Sequence, residues 1–92
     1  MTPPEMEEAA RACVAAGAKA VLVCCTGAEH TLAYVERLAR AGVPFGAYAN
    51  AFGTPPERYA ALATTWRAAG ATILGACCGA SPAHVALLAR SV

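Results

Sequence analysis

Three short apolar runs, at residues 20–24, 43–48 and 72–76, alternate with segments of helical periodicity along this chain. Runs of this length and apolarity are typical of strands that are buried on both faces of a parallel sheet. Parallel strands need long crossover connections, and the helical segments between the runs are long enough to supply them. The sequence therefore predicts an α/β fold with the order αβαβαβα and a three-stranded parallel sheet.

The helical segments carry recognisable start and stop signals. Thr2, Pro3 and Glu5 match a capping box with proline in the first turn, so the first helix is predicted to begin there and to end at Gly17. A second helix is predicted over residues 28–41, and a fourth helix after Ser81. The spacing of apolar residues places Cys13 on the inward face of the first helix.

An internal repeat defines the third helix and relates the two halves of the chain. Thr54-Pro55-Pro56-Glu57 repeats Thr2-Pro3-Pro4-Glu5, and Cys77-Cys78 repeats Cys24-Cys25. Each copy is therefore a helix followed by a strand that ends in two adjacent cysteines. Trp66 lies on the apolar stripe of the third helix and is assigned to the core.

Composition and charge exclude several classes of function. The net charge is +1, from seven basic and six acidic residues, which is too balanced for a nucleic-acid or anionic-membrane surface. No uncharged run approaches the length of a membrane span, and the start of the sequence carries no export signal. We therefore expect a cytoplasmic protein whose five cysteines serve metal binding or catalysis rather than disulfides.

The two cysteine pairs are placed where a metal site would be built. Adjacent Cα atoms lie about 3.8 Å apart, short of the disulfide range, so neither pair should close on itself easily. The carboxyl ends of parallel strands share one edge, which brings together Cys25, Asn50 and Cys78. A turn at Gly79 would let Cys77 join them, and three thiolates with one open position suit catalytic zinc. Burial of the cysteines as small core residues remains the alternative, and without a CxxC motif a zinc-finger interpretation is weak.

The strand and turn at residues 75–84 resemble a known family motif. Gly75-Ala76-Cys77-Cys78-Gly79-Ala80-Ser81-Pro82-Ala83-His84 is similar to Gly-Gly-Cys-Cys-Gly-Thr-x-Pro-x-His of the zinc-dependent homocysteine S-methyltransferases. Cys24-Cys25 lies where that family has Asn-Cys, so Cys24 replaces the asparagine. Tyr48-Ala49-Asn50 is similar to the family's Tyr-Pro-Asn-like element. The resemblance covers essentially the whole chain.

The resemblance implies a fold, a cofactor and an activity. The family fold is a (βα)8 TIM barrel, and residues 1–92 would be a single C-terminal portion comprising its last three strands and four helices. Cys25, Cys77 and Cys78 take the places of the zinc ligands, with Cys24 as an alternative to Cys25, and Asn50 would contact substrate. The implied reaction transfers a methyl group from a small donor to the thiol of homocysteine and forms methionine.

Two other functions stay open at this point. The chain could be a non-catalytic remnant that binds zinc or a partner, or a small α/β domain whose thiols are merely buried. The family's early strands, which help to hold homocysteine, have no counterpart here, so the chain alone should transfer methyl groups weakly or not at all. We also expect its open sheet edges to be covered, by self-association or by a missing N-terminal half.

Overall fold

The computed structural model describes residues 1–91 and has the predicted order of elements. Single 3-10 turns at Ala28–His30 and Ala39–Ala41 flank the second helix, which the sequence predicted as one continuous element. Among these residues no helix is both long and apolar enough to cross a bilayer. The helices and strands are α1 Pro3–Ala15, β1 Val21–Gly27, α2 Thr31–Leu38, β2 Phe45–Asn50, α3 Pro56–Ala68, β3 Ile73–Ala76 and α4 Pro82–Ser91.

The three strands form one parallel sheet in the order β1-β2-β3. Each strand therefore pairs with the next one along the chain, through a helix that crosses over. Crossovers of one hand between sequential neighbours put their helices on the same face of the sheet. Parallel pairing also brings the carboxyl ends of all three strands to one edge, as the sequence predicts.

The two faces of the sheet differ in burial. On the face that packs against the helices, Val23, Ala47 and Ala49 are almost completely buried. On the opposite face Leu22, Tyr48 and Ile73 remain 36%, 36% and 40% exposed. The prediction that the strands are buried on both faces is therefore wrong for residues 1–91. Crossover connections of one hand place the helices on only one side of the sheet.

The core lies between the helices and the covered face of the sheet. Trp66, Tyr59 and Ala63 of α3 are fully inaccessible, which confirms the assignment of Trp66 to the core. The ring centroids of Tyr59 and Trp66 lie 5.4 Å apart in an edge-to-face arrangement. Cys13, by contrast, is exposed, and its predicted place in the core is wrong. It lines a hollow of about 280 Å³ whose wall includes residues of α1 and β1.

The predicted capping box at the start of α1 is confirmed. The Glu5 N–H donates to Thr2 Oγ1 at 3.3 Å, and the Thr2 N–H donates to Glu5 Oε1 at 2.9 Å. The second copy of the repeat behaves differently, because α3 is preceded by Pro55 and no side chain caps its first turn.

A buried hydroxyl joins β2 to β3. Tyr59 Oη accepts a hydrogen bond from the Ala49 N–H at 3.0 Å and donates to the Gly75 carbonyl at 2.7 Å. Burial raises the pKa of Tyr59, so the hydroxyl keeps its proton and can donate. Tyr59 thus connects α3 to both strands at the point where they approach the cysteines.

We expect Tyr59→Phe to lower the free energy of unfolding by about 1–3 kcal/mol, because two buried backbone groups lose their partner. Tyr34→Phe is the matched control, since the Tyr34 hydroxyl bonds the Met1 carbonyl at an exposed site. The control should change stability by no more than about 0.5 kcal/mol. Urea unfolding of the three proteins measures the difference, and equal losses for the two variants would contradict this role of Tyr59.

Candidate metal centre

A cluster of thiols occupies the carboxyl edge of the sheet. Cys25 lies in β1 and Cys77 follows β3 directly, and their Sγ atoms are 3.1 Å apart. Since β2 lies between these two strands, their backbones are separated by roughly twice the strand spacing, about 9.6 Å. The two side chains therefore meet above the end of β2, on the open side of the sheet.

The backbone at Cys25 departs from regular strand geometry. Its φ is 56°, in the left-handed region, and the register between β1 and β2 shifts between Cys24 and Gly27. Adjacent side chains of a regular strand point to opposite faces, but here Cys24 Sγ and Cys25 Sγ lie 3.2 Å apart. A non-glycine residue in this region costs roughly 1–2 kcal/mol, and such strain is concentrated at functional sites.

The structure brings together part of the ligand set implied by the family resemblance and adds one sulfur to it. Among the described residues, the sulfurs of Cys24, Cys25 and Cys77 all lie within 4.8 Å of one another. Cys78 is outside that group, and its Sγ lies 3.9 Å from the Sγ of Cys77. From the sequence, Cys24 was left open only as a substitute for Cys25, although Thr26-Gly27 after the first pair parallels Gly79 after the second and could have indicated a similar turn.

Residues 49–51, at the end of β2, hold the cysteine segments on both sides. The Cys77 N–H donates to the Ala49 carbonyl at 2.9 Å, and the Ala51 N–H donates to the Cys78 carbonyl at 2.8 Å. On the other side, Asn50 Nδ2 donates to the Cys25 carbonyl at 2.9 Å. Residues 49–51 therefore hold the backbone at Cys25, Cys77 and Cys78 in position.

Asn50 has an unused acceptor. Its Oδ1 is buried and has no hydrogen-bond partner among residues 1–91. Asn50 also lines a cavity of about 220 Å³, together with Gly27, His30 and Phe52. A buried acceptor without a donor is unfavourable, so a donor brought by a ligand would be stabilised there. The structure thus places Asn50 beside the cysteines but leaves its predicted contact with substrate as a hypothesis.

The turn after β3 depends on Gly79. The Ala80 N–H donates to the Cys77 carbonyl at 3.2 Å, and Gly79 has a φ of 79°, which glycine adopts without strain. A Cβ atom at this position would lie 2.8 Å from the backbone nitrogen of Phe52. The turn that presents Cys77 and Cys78 therefore packs directly against the loop that follows β2.

His84 supports these loops and does not face the thiols. Its Nδ1 accepts from the Ser81 N–H at 3.1 Å, as a cap of α4, and its Nε2–H donates to the Thr54 carbonyl at 2.7 Å. The side chain is buried and packs edge-to-face against Tyr59. His84 consequently ties the start of α4 to the loop after β2.

The pKa values of Cys25 and Cys77 are shifted mainly by the neighbouring thiols and not by basic groups. Hydrogen bonding to Cys77 and then to Cys24 raises the pKa of Cys25 to about 12, and the Cys25 thiol in turn lowers the pKa of Cys77. The Cys24 side chain beside Tyr48 raises the pKa of that phenol. The sulfurs are therefore hydrogen-bonded to one another, and a divalent cation would supply positive charge that favours their thiolate forms.

The distances between sulfurs that are adjacent in the cluster are close to those of a tetrahedral thiolate site. Zn–S bonds of about 2.3 Å in a tetrahedron place the sulfurs about 3.8 Å apart. The Cys77–Cys78 separation of 3.9 Å matches this value. The Cys24–Cys25 and Cys25–Cys77 separations, 3.2 and 3.1 Å, would have to widen by about 0.6–0.7 Å. Thiol donors select zinc and softer metals, so the residues present fit a zinc ion.

We expect Gly79→Ala to weaken zinc binding and to destabilise the fold, because the added methyl group meets the Phe52 backbone. Gly17→Ala is the matched control, since Gly17 also has a positive φ, 108°, but nothing lies within 4 Å of the added carbon. The control should show only the backbone cost of roughly 1–2 kcal/mol, with zinc affinity unchanged. Chelator competition and urea unfolding measure both effects, and equal zinc affinities for the two variants would contradict the packing argument.

Comparison with known proteins agrees with this geometry. The family model described as homocysteine S-methyltransferase matches residues 3–92, almost the entire sequence. A search of curated proteins found no match. Because the family match extends over more than half of the sequence, the chain belongs to the homocysteine S-methyltransferase family.

Proposed function

We propose that this chain carries the zinc-binding part of an enzyme that transfers a methyl group to the thiol of homocysteine and so forms methionine. The observation that carries the proposal is the convergence of thiols from β1 and from the turn after β3 in a member of this family. Cys25, Cys77 and Cys78 are the proposed zinc ligands. Bound zinc would lower the pKa of a homocysteine thiol, so that a nucleophilic thiolate exists near neutral pH.

The fold supports a barrel as the setting of this site. Three parallel strands in sequential order, with helices on one face, are what adjacent units of a (βα)8 barrel look like. The exposed row of Leu22, Tyr48 and Ile73 would then face the barrel interior. We propose that residues 1–92 are the C-terminal portion of a homocysteine-binding barrel, with the last three strands and four helices. Its remaining sheet edges would be covered by an N-terminal half or by a second copy of the chain.

The chain's own residues would mainly orient the thiols and the substrate. The segment of residues 49–51 fixes Cys25 from one side and the Cys77-Cys78 backbone from the other. Gly75 pairs with Tyr48 on the open face and adds no side chain there. Asn50 Oδ1, which is buried without a donor, would accept a hydrogen bond from the amino group of homocysteine.

The non-catalytic alternative is favoured by one observation, the exposure of the site. Cys24, Cys25 and Cys78 are exposed, so residues 1–91 by themselves exclude little water from the cluster. Methyl transfer to a thiolate benefits from a closed cavity that positions both reactants. The chain alone is therefore expected to bind zinc, and to transfer methyl groups weakly or not at all until its open face is covered.

Zinc stoichiometry is the first test of this function. We expect the reduced chain to bind one zinc ion, and Cys77→Ser to weaken binding strongly because Cys77 contacts both Cys25 and Cys78. Cys13→Ser is the matched control, since Cys13 is a free thiol on α1 outside the cluster. Elemental analysis measures the zinc content, and chelator competition measures the zinc affinity. Absence of bound zinc, or equal effects of the two substitutions, would contradict the proposed site.

Substrate binding separates an enzyme component from a zinc-binding remnant. Homocysteine should change the visible spectrum of the Co²⁺-substituted chain, whereas methionine, which has no free thiol, should not. An unchanged spectrum with homocysteine would favour the remnant. Methyl transfer from S-methylmethionine should be weak or absent with the chain alone, and robust turnover would contradict the need for a cover over the open face.

Asn50→Ala tests both proposed contacts of that side chain. Loss of the bond to the Cys25 carbonyl should lower zinc affinity by about 10–100-fold, as is typical when the support of a ligand is removed. Loss of Oδ1 should also weaken homocysteine binding to the zinc-saturated variant. Calorimetric titrations with zinc and then with homocysteine separate the two effects. Unchanged homocysteine affinity at full zinc occupancy would show that Asn50 only positions Cys25.

A further inference from the structure

We propose that Cys24 is a fourth sulfur ligand, so that without substrate the site holds its metal through four thiolates, from Cys24, Cys25, Cys77 and Cys78. The inference rests on the proposed zinc site and concerns its coordination number. A catalytic zinc site keeps one position open for water or substrate, whereas four protein thiolates close it. Cys24 thus determines whether this site is open or closed.

The positions of the sulfurs carry the inference. Cys24 belongs to the group whose sulfurs lie within 4.8 Å of one another, together with Cys25 and Cys77. Cys78 joins through its 3.9 Å separation from Cys77. The successive separations from Cys24 through Cys25 and Cys77 to Cys78 are 3.2, 3.1 and 3.9 Å, and Cys78 must move closer to the other sulfurs for all four to bind one ion. A tetrahedron of thiolates around zinc needs four sulfurs about 3.8 Å apart.

The backbone around Cys24 gives a second argument. The left-handed conformation at Cys25 and the shift of register after Cys24 turn two adjacent side chains to the same side. Packing does not explain this arrangement, because Cys24 is exposed on the open face of the sheet. A conformation that costs free energy and gains no burial is explained if both sulfurs bind one ion.

Zinc X-ray absorption tests the coordination number directly. The reduced chain would be loaded with one equivalent of zinc, and native mass spectrometry would confirm one zinc per monomer. We expect four sulfur neighbours at about 2.3 Å for the unaltered chain. Cys24→Asn, which introduces the residue found in the family motif, should give three sulfurs and one lighter atom. Cys24→Ser should give the same result, and Cys13→Ser should keep all four sulfurs.

The outcomes separate this inference from the proposed function. Three sulfurs and one lighter atom in the unaltered chain would overturn the role of Cys24 and leave the three-thiolate site intact. Four sulfurs that persist in both Cys24 variants would also overturn it. No zinc binding by the unaltered chain would overturn the proposed function itself. If Cys24→Asn does not fold, Cys24→Ser supplies the comparison, because the two substitutions differ in size and polarity.

Discussion

The candidate site depends on the hydrogen bonds made by residues 49–51, at the end of the central strand. Cys25 lies in β1 and Cys77 directly follows β3, and these two strands do not pair with each other but are separated by about two strand spacings. The central segment binds the Cys25 carbonyl through Asn50 and pairs with the backbone of Cys77 and Cys78. Its position therefore sets the distance between the two groups of sulfurs. Tyr59 and His84 support this segment and the loop after it from the helical side.

The sequence predicted the order of elements and the edge that carries the site, because both follow from periodicity and from the rules of parallel sheets. It did not predict which faces are covered, since an apolar strand such as β1 looks the same whether one face or two are buried. The left-handed conformation of Cys25, which brings its sulfur beside that of Cys24, was not predicted, because the strand was expected to end at Cys24 and no residue type indicates a cysteine with positive φ. Cys13 shows the same limit: helical spacing identifies an apolar face but not whether another element lies against it.

The site is firmly supported on one side and open on the other. Buried residues of α3 and α4 hold the strand ends from the helical layer, as Tyr59 and His84 do. On the opposite side the sulfurs of Cys24, Cys25 and Cys78 are exposed, beside the uncovered row that includes Tyr48. Such an arrangement suits a metal centre whose ligands are preorganised and whose substrate arrives from the open face. It is also the reason for our proposal that the chain alone binds metal but transfers methyl groups weakly or not at all.

The most direct test of the account is an experimental structure of the reduced, zinc-loaded chain, with anomalous diffraction recorded at the zinc absorption edge. The account predicts one anomalous peak per chain, about 2.3 Å from the sulfurs of Cys25 and Cys77 and above the end of β2. A peak bound elsewhere, or sulfurs of these two residues too far apart to share one ion, would contradict the convergence of the strand ends on a metal.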